Sequence, residues 1–146
     1  MKIALGTDHA GYDLKEAVKS HLDRKGVTTI DYGTVSDAPV DYPDFVRPAA
    51  MAVTNGTADF AIIFGGSGNG EAMVANKVPG VRCGLCWNVW SARMTKEHND
   101  ANVIALGGRV VTTEEAIEIV DTWLEAKFEG GRHRKRIDKI ETPPAQ

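Results

Sequence analysis

Only two cysteines occur in the chain, Cys83 and Cys86, so a disulfide framework is excluded. A Cys-x-x-Cys pair can mark a redox dithiol or half a zinc site. Here it lies inside Val81-Arg82-Cys83-Gly84-Leu85-Cys86, which reads as a buried strand whose residues three apart face opposite ways. No second Cys-x-x-Cys or Cys-x-x-His completes a metal set, and the two are expected to be plain core thiols. Strong charge of either sign is also missing: the formal net charge is −3, which argues against nucleic-acid binding by the chain as a whole. No apolar run approaches the roughly 20 residues that cross a bilayer. The opening residues, Met1 to Gly6, lead into a strand pattern rather than a signal peptide, so a cytoplasmic location is expected. Internal repeats and low-complexity linkers are absent as well.

What remains is the balance of an ordinary folded domain, 42% hydrophobic and 25% charged over 146 residues. One domain spanning 1–146 is expected, able to bury roughly two-thirds of its unfolded surface without a staple. Apolar runs at 2–7, 27–32, 60–64, 81–86 and 103–106 read as strands. Between them lie helical patterns: Leu14, Ala17, Val18 and Leu22 with Gly26 as the stop, a segment near 45–53, then 71–77 and 89–97. A helix capped by Thr113 and a basic helix over about 132–140 follow, and Pro143-Pro144 mark a frayed tail. Strands alternating with helices predict an α/β sandwich of three layers around a five-stranded parallel sheet. Ligands of such folds sit beyond the carboxyl ends of the strands.

Polar residues follow several strands: Asp8 and His9 after the first, Gly65-Gly66-Ser67-Gly68-Asn69-Gly70-Glu71 after the third, and Gly107-Gly108-Arg109 after the fifth. His98, Asn99 and Asp100 close the fourth helix, and they too are expected at this edge. Four glycines in six positions before a helix make an anion cradle from backbone N–H groups. The spacing is neither the dinucleotide fingerprint nor the nucleoside-triphosphate loop, because Glu71 and Ala72 stand where Lys and Ser/Thr would be needed. A carboxylate beside the cradle suits a reaction in which a base removes a proton and the cradle receives the oxyanion. On spacing alone, Glu71 serves equally as a favourable charge at a helix N-terminus. Arg132 and Arg136, one helical turn apart, form either a phosphate clamp or a solvated basic face. His98 is an acid–base group or a helix-terminal histidine meeting free carbonyls. His21, near the edge of an apolar stripe, reads as structural.

Six segments occur in order: 6–12 (Gly-Thr-Asp-His-Ala-Gly-Tyr), 41–44 (Asp-Tyr-Pro-Asp), 65–71, 75–82 (Ala-Asn-Lys-Val-Pro-Gly-Val-Arg), 97–102 (Glu-His-Asn-Asp-Ala-Asn) and 130–136 (Gly-Gly-Arg-His-x-x-Arg). Together they resemble the ribose-5-phosphate isomerase B family, which includes galactose-6-phosphate isomerase subunits, over nearly the whole chain. The resemblance implies a Rossmann-like sandwich working as a homodimer with sites at the interface, the basic helix docking on the partner. It implies that Asp8 and His9 touch the substrate and that Gly66, Ser67, Gly68, Asn69 and Gly70 stabilise an enediolate oxygen. His98 would assist ring opening, Asn99 would bind the sugar, and Arg109, Arg132 and Arg136 would hold phosphate or nearby oxygens. Many members carry a catalytic cysteine where this chain has Gly65; the chain resembles instead the branch in which the Glu closing the loop, here Glu71, is the base. No cofactor or metal is implied. A tetrose or hexose phosphate is the alternative substrate, with Tyr42 and the Trp87–Trp90 segment as possible determinants of sugar length. The rival of another class is a nucleotide-binding sensor of the universal-stress type, whose glycine spacing fails here at Val78-Pro79.

Overall fold

The apolar runs of the sequence become five parallel strands in the order β2-β1-β3-β5-β4 in a computed structural model described over residues 1–143. In chain order the elements are β1 (Lys2–Thr7), α1 (Tyr12–Arg24), β2 (Thr28–Asp31), α2 (Pro43–Thr54), β3 (Phe60–Gly65), α3 (Asn69–Asn76), β4 (Cys83–Leu85), α4 (Val89–Asn99), β5 (Val103–Gly107), α5 (Thr113–Glu125) and α6 (Arg132–Glu141). The predicted three-layer α/β sandwich is what forms. Of the expected Pro143-Pro144 tail, Pro144 lies outside the described residues.

Alternation along the central strands assigns each side chain to a layer. Ile3, Leu5, Ile62, Phe64, Ile104 and Leu106 face a cluster supplied by α1, α4 and α5, with Leu14, Val18, Leu22, Ala92, Ile119 and Trp123. Ala4, Ala61, Ile63, Val103 and Ala105 face α2 and α3 through Val46, Ala49, Ala50, Ala72 and Ala75. This second layer is built largely of small residues, so its helices lie close to the sheet. At Gly6 an added Cβ would stand 2.8 Å from Ala49 Cβ, which leaves room only for glycine. The close seat of α2 carries Tyr42, the residue before its first turn, to the carboxyl edge of the sheet.

Several boundaries differ from the sequence pattern. The helix after the glycine loop begins at Asn69, not Glu71, so Asn69 and Gly70 are already helical. The cap of α5 is Thr112, not Thr113; its side chain accepts from Glu115 N–H while Glu115 reaches back to Thr112 N–H. Strand β4 is only three residues long, and the sheet edge there is covered by a side chain. The Asn76 carboxamide donates to Cys83 O at 3.0 Å and accepts from Cys83 N–H at 2.8 Å. Asn102 does the same to Gly80 O and Arg82 N–H, both at 2.9 Å. Asn76 thus stands in for a neighbouring strand at the free edge and blocks unwanted pairing, while Asn102, just before β5, extends the β4–β5 pairing. His21 is structural as expected: its Nε2 meets the Asp121 carboxylate at 2.9 Å, tying α1 to α5. None of the described helices is long and apolar enough to cross a membrane.

Candidate active site

Strand order reverses between β1 and β3, and the loops leaving these two strands open on the crevice where such folds bind ligands. After β1, Asp8 is buried and its Oδ1 accepts from the N–H groups of Ala10 (2.9 Å) and Gly11 (3.2 Å), which fixes the turn into α1. His9 Nδ1 accepts from Val40 N–H at 3.2 Å, so its ring proton stands on Nε2. After β3, Gly68 takes φ 84° and caps α3, and Ser67 Oγ accepts from Asn69 N–H at 3.2 Å. The loop after β5 is zipped onto it: Gly108 N–H donates to Gly65 O (2.8 Å) and Arg109 N–H to Gly66 O (3.0 Å). The Arg109 guanidinium then lies over Gly66, where an added Cβ would be 3.2 Å from Nη1. Tyr42 lies across Gly70, whose missing Cβ would be 2.6 Å from the phenol oxygen. Asp8, His9, Gly66 to Gly70, Glu71 and Arg109 are therefore brought together, with Tyr42 beside them.

Glu71 sits in the first turn of α3 yet is only 4% exposed. Its carboxylate occupies the space a side chain at Gly65 would fill; a Cβ built there would overlap it. Burial raises its pKa above the ordinary carboxylate range, and the Asp8 charge adds to this, while backbone N–H groups of Glu71 itself and Gly68 pull the other way. A carboxylate serving only the helix dipole gains nothing from being buried beside Asp8. A general base gains proton affinity. Gly65→Ala should therefore expel this carboxylate and lower turnover by about 10²-fold or more, the scale of losing a general base, while circular dichroism stays that of the wild type. Wild-type turnover in folded Gly65→Ala would show that the seat of Glu71 does not matter.

The structure separates the other expected residues from this group. A helix joining parallel strands returns the chain to their amino ends, so His98 and Asn99, which end α4, stand at the opposite edge of the sheet. Arg82, just before β4, marks the place: its Nε donates to Asn99 O and its Nη2 to Asp100 O, both at 2.9 Å. The expectation that His98 and Asn99 share the edge of the glycine loop within one chain is corrected by this path. There His98 stacks on His133 of α6, ring centroids 4.4 Å apart and planes 15° from parallel. Arg132 and Arg136 extend from the same helix, both exposed. Glu129 lies 3.3 Å from His133 Nε2; the sequence carries His133 only as part of the 130–136 segment and gives Glu129 no role, because the contact depends on the turn at Gly130-Gly131 ahead of α6. His98, Glu129 and His133 place ligand-type atoms within 4.8 Å of one another. Near-parallel rings aim their lone pairs side by side rather than at a point about 2.0–2.1 Å from both, which is what zinc would require.

A family model described as Ribose/Galactose Isomerase matches residues 3–140. The chain belongs to the ribose/galactose isomerase family. It is 45% identical over 139 residues to ribose-5-phosphate isomerase B of Escherichia coli, covering 95% of this chain and 93% of that one. It is also 45% identical over 140 residues to the Mycobacterium tuberculosis enzyme of the same name, covering 94% and 86%. Among solved structures, Clostridium thermocellum ribose-5-phosphate isomerase B superimposes with a TM-score of 0.95 at 50% identity over 97% of this chain and 95% of that one. The Mycoplasma genitalium enzyme with bound ribulose-5-phosphate does so at 0.91 and 43% over 96% and 93%.

In this member of the isomerase family the cysteines stand away from the loop. Cys86 belongs to one core layer and Cys83 packs against the other. Burial pushes the Cys86 thiol up to about 12, and raises that of Cys83 as well; neutral thiols of this kind are inert. Replacing both with Ala should cost some stability but leave turnover per folded molecule within about tenfold of wild type, short of the 10²–10⁴ attached to a general base. Steady-state kinetics with mild alkylation of the wild type check this, and complete loss in the folded variant would make a thiol the base.

Proposed function

We propose that the chain interconverts ribose 5-phosphate and ribulose 5-phosphate, with Glu71 as base, in a homodimer. Each site is made from the glycine-loop edge of one copy and the α4–α6 edge of the other. The buried Glu71 carboxylate, held against Gly65 beside Asp8, carries this reading. The names of the relatives supply the sugar. His98 protonates the ring oxygen as the bond from C1 to that oxygen breaks and the C1 hydroxyl gives its proton to solvent water, leaving the open aldose. Glu71 takes the C2 proton, and the C1 oxygen becomes an oxyanion facing the N–H groups of Gly66 to Gly70. Glu71 returns its proton to C1 while the O2 proton passes to O1, leaving the ketose. Asp8, His9 and Asn99 would hold sugar hydroxyls, and Arg109, Arg132 and Arg136 the phosphate and nearby oxygens.

Two observations support a second copy. His98 and Asn99 stand at the edge away from Glu71, so one chain does not complete the set. Met73, Trp87, Val89 and Trp90, on and around α3 and the start of α4, are exposed, an apolar surface next to the short edge strand β4 that suits burial against another copy. The Trp87–Trp90 segment thus reads as interface rather than as a gauge of sugar length; Tyr42, against Gly70, keeps that role.

A kinetic panel of tetrose 4-phosphate, ribose 5-phosphate, hexose 6-phosphates and unphosphorylated ribose tests the substrate. Ribose 5-phosphate should give the highest kcat/KM, and unphosphorylated ribose should be poor. Preference for another length would move the assignment to that sugar, and tight ATP binding without turnover would favour a nucleotide sensor. Arg132→Ala and Arg136→Ala should each weaken phosphate recognition by about 1.5–3 kcal/mol, as for hydrogen bonds to charged groups, read mainly in KM. Unchanged KM in both would make α6 a solvated face.

A further inference from the structure

The His98 ring has no hydrogen bond or ion pair to the described residues; what it rests on is the ring of His133. His133 is only 5% exposed, although it opens a helix whose flanking residues Arg132 and Arg134 are exposed. It is fixed in turn by Glu129, whose Oε2 lies 3.3 Å from His133 Nε2. Glu129 is pinned to the last turn of α4, where its N–H donates to Glu97 O at 3.0 Å, one residue before His98. Gly130 and Gly131, at φ 68° and 55°, turn the chain back so that this closed circuit can form. The circuit runs from α4 through Glu129 to His133 and back to α4 at His98.

A half-exposed histidine at a helix end would otherwise sample several rotamers. Proton transfer needs its nitrogen within about 2.6–3.2 Å of the accepting atom, and a misplacement of about 1 Å can cost about 10²-fold. A flat, buried partner ring confines His98 to one plane and leaves its edge open. We propose that His133, held by Glu129, is a positioning residue that orients His98 for opening the sugar ring. This rests on the assignment of His98 to ring opening made above.

The test exploits a difference between substrate and product. Ribose 5-phosphate is mostly a closed furanose and must be opened. Ribulose 5-phosphate carries its phosphate on the oxygen that would close a five-membered ring onto C2, so it is open already. Solvent deuterium therefore enters its C1 position through the enediolate without any ring opening. His133→Ala should lower turnover of ribose 5-phosphate by about tenfold to 10²-fold, yet leave deuterium entry into ribulose 5-phosphate within about threefold of wild type, the span of an undisturbed proton transfer. His133→Phe, which keeps a flat face, should recover most of the loss. Glu129→Ala, at an exposed position that does not endanger folding, should show the same split more weakly, about threefold. His98→Asn is the reference and should split the two reactions most strongly. If His98→Asn splits them and His133→Ala and Glu129→Ala do not, the positioning role is wrong. If His98→Asn slows both equally, the assignment of ring opening to His98 is wrong, and this inference falls with it.

Discussion

Glu71→Gln is expected to abolish isomerisation while binding of the sugar phosphate persists. The amide keeps the shape of a side chain that fills the space beside Gly65, but it has no basic oxygen to take the C2 proton. Loss of a positioned general base costs about 10²–10⁴ in rate, and Gln leaves no residual base. Deuterium exchange at the transferred position and calorimetric affinity measure the two parts separately. The same variant has a second, opposite consequence. The folded-state pKa of Glu71 is raised. As pH climbs through the ordinary carboxylate range the unfolded chain ionises first, and the penalty on the native state grows until pH passes the raised value, above which it stays constant. Wild-type stability should therefore be fully free of this penalty at acid pH and carry it at neutral pH. Glu71→Gln should melt higher than wild type near pH 7, with the gain shrinking as pH falls. Activity should show the counterpart, with the acid limb of kcat/KM lying above the ordinary carboxylate range. A Glu71→Gln enzyme that exchanges deuterium at the wild-type rate would remove Glu71 from the chemistry.

The parts of this site that were legible in the sequence are those encoded locally. The run Phe60 to Phe64, followed by four glycines in six residues and a carboxylate, placed a cradle and a charged group at a strand end without any knowledge of neighbours. The pairing of a bare position at 65 with Glu71 is also local, since one helical turn brings the carboxylate back over the strand end. Three features depended on partners distant in sequence. Tyr42 reaches Gly70 only because Gly6 lets α2 lie against β1. The Asn76 carboxamide looks like an ordinary surface amide until β4 proves to be an edge strand. His98 stands at the edge opposite to the one its place after a polar helix end suggests, because the end of a helix is not the end of a strand. A helix between parallel strands must run back, and its last turn belongs with the amino ends.

That geometry leads to a sharp expectation for mixed dimers. If Glu71 and His98 of one site come from different copies, an inactive Glu71→Gln chain and an impaired His98→Asn chain repair each other. Their heterodimer, isolated by two different affinity tags, holds one site with both defects and one site with neither. It should turn over ribose 5-phosphate at about half the rate of a wild-type dimer, because a two-fold interface presents two equivalent sites. The converse pairing is more telling. A wild-type chain combined with a Glu71→Gln/His98→Asn chain places one defect in each of the two sites. That heterodimer should be nearly silent, although half of its chains are intact. Sites contained within single chains would give the reverse pattern, with no rescue in the first heterodimer and about half activity in the second, one intact site out of two. Sedimentation must show stable dimers throughout. Activity of about half in the wild-type/double-variant pair would exclude a shared site, and with it the reading of His98, Asn99, Arg132 and Arg136 as gifts to the neighbouring copy.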